Sequence, residues 1–474
     1  VQSITPHTRQ KDIAPTVVVV VADRNPHSIH AHRKIQLRRN FLKRTSPLLA
    51  TPLLLNGMRV GAKTTPNHLY ASVAAGMPTD RVLLVIQLEG GNDGLNTLVP
   101  VEDDLYYTMR PNLAIPKEEA LGLDGLNTLR MHPEMGGMAQ LFNEGSMAIV
   151  GNVGYDRMNL SHFTGTEIWH TGSQNRKESY LPTGWIGRYL QGVYPEFPDM
   201  LPDHPPAIEI SPSTSSLFTV VGASIGMSLT DPQEFYDLVA AGPTVDDEVD
   251  VTTLAGREWE FIDRVNQQSV TFADGVREAS NKGDNLVEYP ETDFAAALAI
   301  VARLVAGGLA TRIYKVSLGG FDTHGNQAAT HANLLKTLSD GIAAFQQDIT
   351  ALGVDERVIG MTYSEFGRRV DDNGPGTDHG TAAPHFVFGT PISGGRMIGD
   401  GPDLTNLDGN NNLVHSIDFS CYYASVIAPY FGVAAEPLDE ILPYDLCDPG
   451  DYLDLFETSD VREGRSVVEQ MDLR

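Results

Sequence analysis

Cysteine is nearly absent from this chain. Two occur in 474 residues, Cys421 and Cys447, which excludes a disulfide-dense scaffold and any cysteine-rich metal cluster. They allow one bridge, closing a loop of about 25 residues, if the protein is exported, and a pair of buried thiols if it is not. Positive charge is scarce as well. Lys and Arg number 34 against 61 Asp and Glu, for a net charge of −27. Nucleic-acid binding needs a basic face, so no nucleic-acid partner is expected, and the acidity suits an extracellular or saline milieu. Long apolar runs are missing too: Val17 to Val21 is far too short to span a bilayer, and no later stretch is long enough for a transmembrane helix. What is present, 41% hydrophobic and 20% charged residues, is the composition of a globular protein with one large or two medium domains. No internal repeat is visible.

Residues 1–32 are polar and carry no assigned role. Arg38-Arg39-Asn40-Phe41-Leu42-Lys43 follows, ahead of a mildly apolar stretch from Pro47 to Leu55. This pattern resembles a twin-arginine export signal, and the alternative is a basic surface segment. The expected division is 33–80 as signal and linker, 81–455 as a single folded domain, and 456–474 as a charged tail. The implied partner is the twin-arginine export machinery, and the implied location is periplasmic or extracellular.

The folded part opens with Val82 to Leu88, a continuous apolar run expected of a central parallel strand covered on both faces. It ends in Gly90-Gly91-Asn92-Asp93, where glycines permit a tight turn and Asn92 and Asp93 supply oxygens. The bland alternative is an Asx-rich turn. Arg312 to Leu318 alternates as a strand and ends in Gly319-Gly320-Phe321-Asp322-Thr323-His324. On extended backbone the Asp322 and His324 side chains point to one side, a ligand pair suited to zinc, manganese or iron. Leu334, Leu335, Leu338, Ile342, Phe345, Ile349 and Leu352 then recur at helical spacing, with Gly353 as the stop. Val358 to Tyr363 is a third buried strand. It ends in Ser364, Glu365 and Arg368, with Asp378-His379 a short loop away. Strand, helix and strand predict a parallel crossover that brings both polar ends to one sheet edge, where ligands bind in open α/β sheets. A structural Glu365–Arg368 ion pair is the competing account. Upstream, Met147 to Val150 reads as a strand, and Asn159 or Ser161 as the cap of a helix carrying Phe163, Ile168 and Trp169. Ser161 at a helix start is either that cap or an activated hydroxyl. His162 and His170 read as surface or core residues. Leu217 to Val221 reads as a strand, and Asp418 to Phe431 as a helix.

Taken together, Gly90 to Thr97, Ser161-His162-Phe163, Gly320 to His324, Ser364 to Arg368 and Gly376 to Gly380 resemble the bacterial family called domain of unknown function 1501. That family is similar to the alkaline phosphatase and sulfatase superfamily. The resemblance runs from about Arg81 to beyond Phe431. It implies an alkaline-phosphatase-like α/β fold: a central, mostly parallel sheet with helices on both faces and a metal site at the strand ends. Carried over by motif, Asp93 (or Asn92), Asp322, His324, Glu365 and His379 are the implied metal ligands and Ser161 the nucleophile; Asp378 is a further candidate ligand beside His379, and Arg368, whose guanidinium fork matches phosphate or sulfate, the anion clamp. Phe366 departs from the pattern, because the superfamily has a histidine there; Asp378 or His331 would have to replace it, or one metal is absent or weakly held. Neither cysteine has the Cys-x-Pro-x-Arg context of formylglycine sulfatases.

The function these residues imply is an exported, metal-dependent hydrolase of small anionic phosphate or sulfate esters. Its cofactor is a divalent metal, zinc first, with manganese, calcium or iron as alternatives. The rival is a non-catalytic cell-surface or secretion-associated protein that retains the fold, and a third reading is a carbohydrate- or lipid-processing accessory protein.

Overall fold

A computed structural model describes residues 80–174, 181–241, 253–443, 447 and 450–456. All lie in one compact unit, Thr45–Arg474. The Arg38-Arg39 segment, residues 1–32 and nearly all of the charged tail fall outside the described residues.

Among the described residues, nine strands form the central sheet: β1 (Val82–Glu89), β2 (Met147–Gly154), β3 (Ala207–Ile210), β4 (Gly226–Leu229), β5 (Ile313–Gly319), β6 (Val358–Tyr363), β7 (Ala383–Phe388), β8 (Arg396–Ile398) and β9 (Ile417–Asp418). Their order is β8-β2-β7-β6-β1-β5-β3-β4, with β9 also pairing β2. β1 pairs in parallel with both β5 and β6, and β3 and β4 continue the parallel run. β7 alone is antiparallel, against β6 on one side and β2 on the other. The mostly parallel α/β sheet expected from the sequence is therefore present. The crossover from β5 to β6 passes over β1, which lies between them. Both still end at the same edge as β1, since all three run the same way.

β1 is buried on both faces because its side chains alternate between two apolar layers. Leu83 and Val85 pack with α2 (His162–Thr171), α3 (Trp185–Val193) and α7 (Phe419–Phe431), through Trp169, Trp185 and Tyr422. Leu84 and Ile86 pack with α1 (Gly136–Asn143), α4 (Leu254–Lys282), α5 (Asp293–Ala306) and α6 (Gln327–Ala351), through Phe142, Val276, Leu298 and Ile342. Helices thus cover both faces, the layered arrangement of α/β domains. The Leu217 to Val221 run is largely a 3-10 turn, Ser216–Phe218, leading into a two-residue strand, Thr219–Val220. Leu217, Phe218 and Val220 are buried by this turn rather than by a full ladder, and Val221 is exposed. Cys421 of α7 is joined to Cys447 by a disulfide, with Cα atoms 4.8 Å apart.

Candidate metal centre

Four connections meet at the edge where the parallel strands end. β1 runs into Gly90-Gly91, which take φ of 116° and 84°. A side chain on Gly90 would start 2.3 Å from the Asp322 nitrogen, so the loops after β1 and β5 touch only because this residue is glycine. β6 ends at Tyr363 and β7 returns antiparallel from Ala383, so residues 364–382 must loop back over the same edge. That loop carries Glu365, Arg368, Asp378 and His379. It is pinned by a bridge between Arg368 and His379 and by the Gly380 amide donating to the Gly367 carbonyl at 2.9 Å. β2 also ends at this edge, and its connection leads to Ser161 and the start of α2.

α2 is held against the end of β6. The Trp169 indole donates to the Glu365 carbonyl at 3.0 Å, and a side chain on Gly165 would start within 3.2 to 3.4 Å of Asn159 and Glu365. At its far end His170 is buried, with its ring nitrogens 2.8 Å from the Ser216 and Tyr363 hydroxyls. His162, the first residue of α2, thereby reaches the strand ends.

His162, Asp322 and His379 each offer a ligand atom, all within 4.8 Å of one another. His324 joins them, its Nε2 3.1 Å from Asp322 Oδ1 and 3.0 Å from His379 Nε2. His379 Nε2 lies 3.0 Å from Asp322 Oδ1, and His162 Nε2 lies 3.5 Å from Asp322 Oδ2. What surrounds the other ring nitrogens fixes the tautomers. His379 Nδ1 sits 2.8 Å from the Leu160 carbonyl, His162 Nδ1 2.9 Å from Glu365 Oε1 and His324 Nδ1 3.2 Å from Asp378 Oδ1. Each of these partners accepts, so each Nδ1 carries the proton. In neutral imidazoles all three Nε2 lone pairs then face the Asp322 carboxylate, and those of His324 and His379 also face each other. Acceptors meeting acceptors at about 3 Å require a proton or a cation between them. Neutral histidine with its second nitrogen held by a carboxylate or carbonyl is the usual form of a metal ligand. The residues present therefore fit a divalent ion. Burial acts to raise the Asp322 carboxyl, but the hydrogen bond and charge of Arg368 prevail and keep it below the ordinary carboxylate range, so it is anionic at neutral pH.

The sequence-derived candidates separate into groups. Asp322, His324 and His379 come together. Glu365 and Asp378 do not enter the cluster as ligands; they stand behind His162 and His324. Glu365 is buried, with Oε1 also accepting from the Gly90 amide at 2.7 Å and Oε2 without a partner among the described residues. Asp93 lies elsewhere. It is buried against Arg110, 2.5 Å away, and hydrogen-bonded to Gln327. Burial would raise its carboxyl, but the Arg110 charge wins and keeps it low. Arg368 is no open anion clamp: its side chain is 0% exposed. It donates to the Gly91, Thr377, Gly90 and Phe321 carbonyls and, at 2.8 Å, to Asp322. It ties three loops to one ligand. Ser161 occupies the N-cap position of α2, but its hydroxyl makes no cap bond and the residue is exposed. It stands between Leu160, which holds His379, and His162.

Phe366 is packed against the cluster, its ring centroid 4.5 Å from His379 and 5.0 Å from His162. Neither proposed substitute takes a histidine's place there: His331 donates to the Asn92 amide oxygen at 2.9 Å and Asp378 supports His324. The residue missed from the sequence is His162. Its signal was positional, as the first helical residue after a strand ending at this edge.

The family described as "Protein of unknown function (DUF1501)" matches residues 261–421, about a third of the chain. The span contains Asp322, His324, Glu365, Arg368, Asp378 and His379, and the motif resemblance holds over it. No curated protein matches the chain. Among solved structures, the chain is similar to the lipoteichoic acid synthase LtaP from Listeria monocytogenes at 9% identity, covering 89% of this chain and 81% of that one with a TM-score of 0.33. It is similar to a protein in the alkaline phosphatase superfamily from Vibrio parahaemolyticus at 12% identity, covering 82% and 79% with a TM-score of 0.37. The PsFucS1 sulfatase from Pseudoalteromonas sp. is similar at 11% identity, covering 85% and 78% with a TM-score of 0.32.

Proposed function

We propose that the protein is an exported hydrolase of phosphate or sulfate esters that uses one divalent ion, zinc first, held by Asp322, His162, His324 and His379. The observation that carries the reading is the convergence of three imidazole Nε2 atoms on one carboxylate, each imidazole with its Nδ1 already held by an acceptor. Three histidines and a carboxylate suit zinc. Such an ion, when bound, would polarise the ester oxygen and lower the barrier to attack.

The chain's own groups supply the rest. The Ser161 hydroxyl, exposed and free of cap duty, is the candidate nucleophile. Its attack forms a bond to phosphorus or sulfur, the bond to the leaving alcohol breaks, and the proton released by Ser161 is balanced by the one the alcohol takes up. Water then returns Ser161 and releases phosphate or sulfate. The first amides of α2, not satisfied by a side-chain cap, place donors and the positive helix end beside the same point. Arg368 fixes the Asp322 carboxylate, and Phe366 excludes water from one side of the imidazoles.

Export is proposed from Arg38-Arg39, and the Cys421–Cys447 bridge suits an oxidising compartment. Replacing Arg38 and Arg39 with lysines should retain the protein in the cytoplasm; unchanged export refutes that route. For the activity, the purified protein should carry about one ion per chain and hydrolyse an aryl phosphate or aryl sulfate, and Asp322→Ala should lose both. A metal-free wild-type protein overturns the reading. Bound metal without turnover leaves the non-catalytic surface protein.

A further inference from the structure

The groups around the cluster are mostly anionic. Asp322, Glu365 and Asp378 contribute carboxylates, and the exposed Glu89 stands at the end of β1 on the same edge. Its Oε2 is 3.5 Å from where a side chain on Gly319 would begin. Against these, the cationic side chain bonded to the cluster among the described residues is Arg368, which is fully buried and engaged with four carbonyls and Asp322. Arg110 is closed in its own pair with Asp93. The exposed Arg157 is paired with Asp156. Arg369 lies toward Asp408, whose carboxyl its charge helps to lower.

This inventory fixes the charge an incoming ester meets. The carboxylates of Asp322, Glu365 and Asp378 outweigh Arg368 by two, a divalent ion brings that sum to zero, and Glu89 makes the rim negative. Resting on the hydrolase reading above, we infer that the site takes esters whose reacting group carries a single negative charge, a sulfate monoester or a phosphate diester, and disfavours phosphate-monoester dianions. A phosphate monoester carries about −1.5 to −2 at neutral pH. Its second charge finds no guanidinium at the cluster besides the fully engaged Arg368 and approaches Glu89 and Asp378 instead. The uncapped start of α2 carries only about half a unit of positive charge, less than the full negative charges of Glu89 and Asp378, so it narrows the difference without reversing it.

The test holds the leaving group constant. On zinc-loaded protein, 4-nitrophenyl sulfate, methyl 4-nitrophenyl phosphate and 4-nitrophenyl phosphate present one, one and nearly two charges. One of the two monoanions should exceed the dianion in kcat/KM by about tenfold or more, as expected for one unit charge in a partly buried site. Which monoanion is favoured separates sulfate esters from phosphate diesters. Glu89→Gln should narrow that ratio by roughly threefold or more by improving the dianion, with the effect fading at high salt. A wild-type preference for 4-nitrophenyl phosphate, or a ratio that Glu89→Gln leaves unchanged, overturns the inference. Calorimetric titration of zinc-loaded Ser161→Ala with 4-nitrophenyl sulfate and with 4-nitrophenyl phosphate reads the same preference without turnover. Tighter binding of the sulfate supports the inference, and tighter binding of the phosphate refutes it. If no ester is hydrolysed by the wild type, the hydrolase reading fails while this binding comparison still decides the charge preference.

Discussion

Two groups of aspartate and histidine stand at the same sheet edge, and they have opposite characters. One follows β1: Asp93, buried with Arg110, Gln327, Asn92, His331 and His132 around it. The other follows β5 and β6: Asp322 with His162, His324 and His379, where the Asp322 side chain is 46% exposed. In the first, the counter-charge is supplied by the chain, since the Arg110 guanidinium also reaches Asn96 and the Val370 and Arg369 carbonyls. In the second, Arg368 holds one oxygen of Asp322, but the imidazole lone pairs still face other acceptors, and the positive charge between them must come from outside. The same residue types at equivalent strand ends therefore build a structural pair or a ligand set according to whether the chain's own donors satisfy the whole group or leave lone pairs facing one another.

The largest expected effect breaks the first group. Removing one partner of a buried ion pair strands the other charge, which costs about 3–5 kcal/mol. Arg110→Met should lower unfolding stability by that amount in a denaturant titration and leave the metal content of the folded fraction unchanged. A fall in metal content without a stability loss would merge the two groups into one site.

The second group should respond to metal instead. An ion bound only by the folded chain adds about 2.7 kcal/mol when its free concentration is 100 times Kd. Chelation should therefore lower the wild-type melting temperature, while Asp322→Ala should show no response to chelator or to added zinc. Equal responses in both proteins would place the ion elsewhere.

Much of this was legible in the sequence because strand ends carry their polar residues in short motifs. The apolar run Val82 to Leu88 announces a central strand, and Gly90-Gly91 announces a loop that approaches another backbone. Asp322, His324 and His379 follow from the shared edge of β5 and β6. The roles of Asp93 and Arg368 were not legible, because each depends on a partner distant in sequence: Arg110 lies 17 residues from Asp93, and the carbonyls that enclose Arg368 come from loops as far as 278 residues away. His162 was missed for a related reason. A histidine that opens a helix has no spacing signature, and its meaning appears only once β2 is seen to end at the same edge.

A smaller effect separates ligands from the groups that hold them. Glu365 accepts from His162 Nδ1 and the Gly90 amide without entering the cluster. Glu365→Gln should retain the ion and weaken its affinity by about 10- to 100-fold, the range for carboxylates behind metal-bound histidines. Loss of all measurable binding in a competition titration would make Glu365 a ligand after all.

The smallest effect concerns a histidine in neither group. His385, on β7, is fully buried between Trp169 and Tyr422, and neither ring nitrogen has a partner among the described residues. Burial pushes its pKa down to about 3, against about 6.5 for a histidine in an unfolded chain. The sign follows from linkage. Between these values the unfolded chain binds the proton and the folded one does not, so stability is fully present above about 6.5 and falls as the pH drops. From pH 7 to 5.5 this one residue should account for about 1 kcal/mol of lost stability. His385→Phe keeps a ring of similar shape and removes two buried nitrogens that lack partners, so at pH 7 it should be neutral or mildly stabilising. Its stability should decline less than the wild type's by that same amount between pH 7 and 5.5. Parallel pH profiles for the two proteins would show that His385 takes up no proton on unfolding in that window, and would assign the acid sensitivity to His132 and His331, whose pKa values burial lowers to about 4 and about 3.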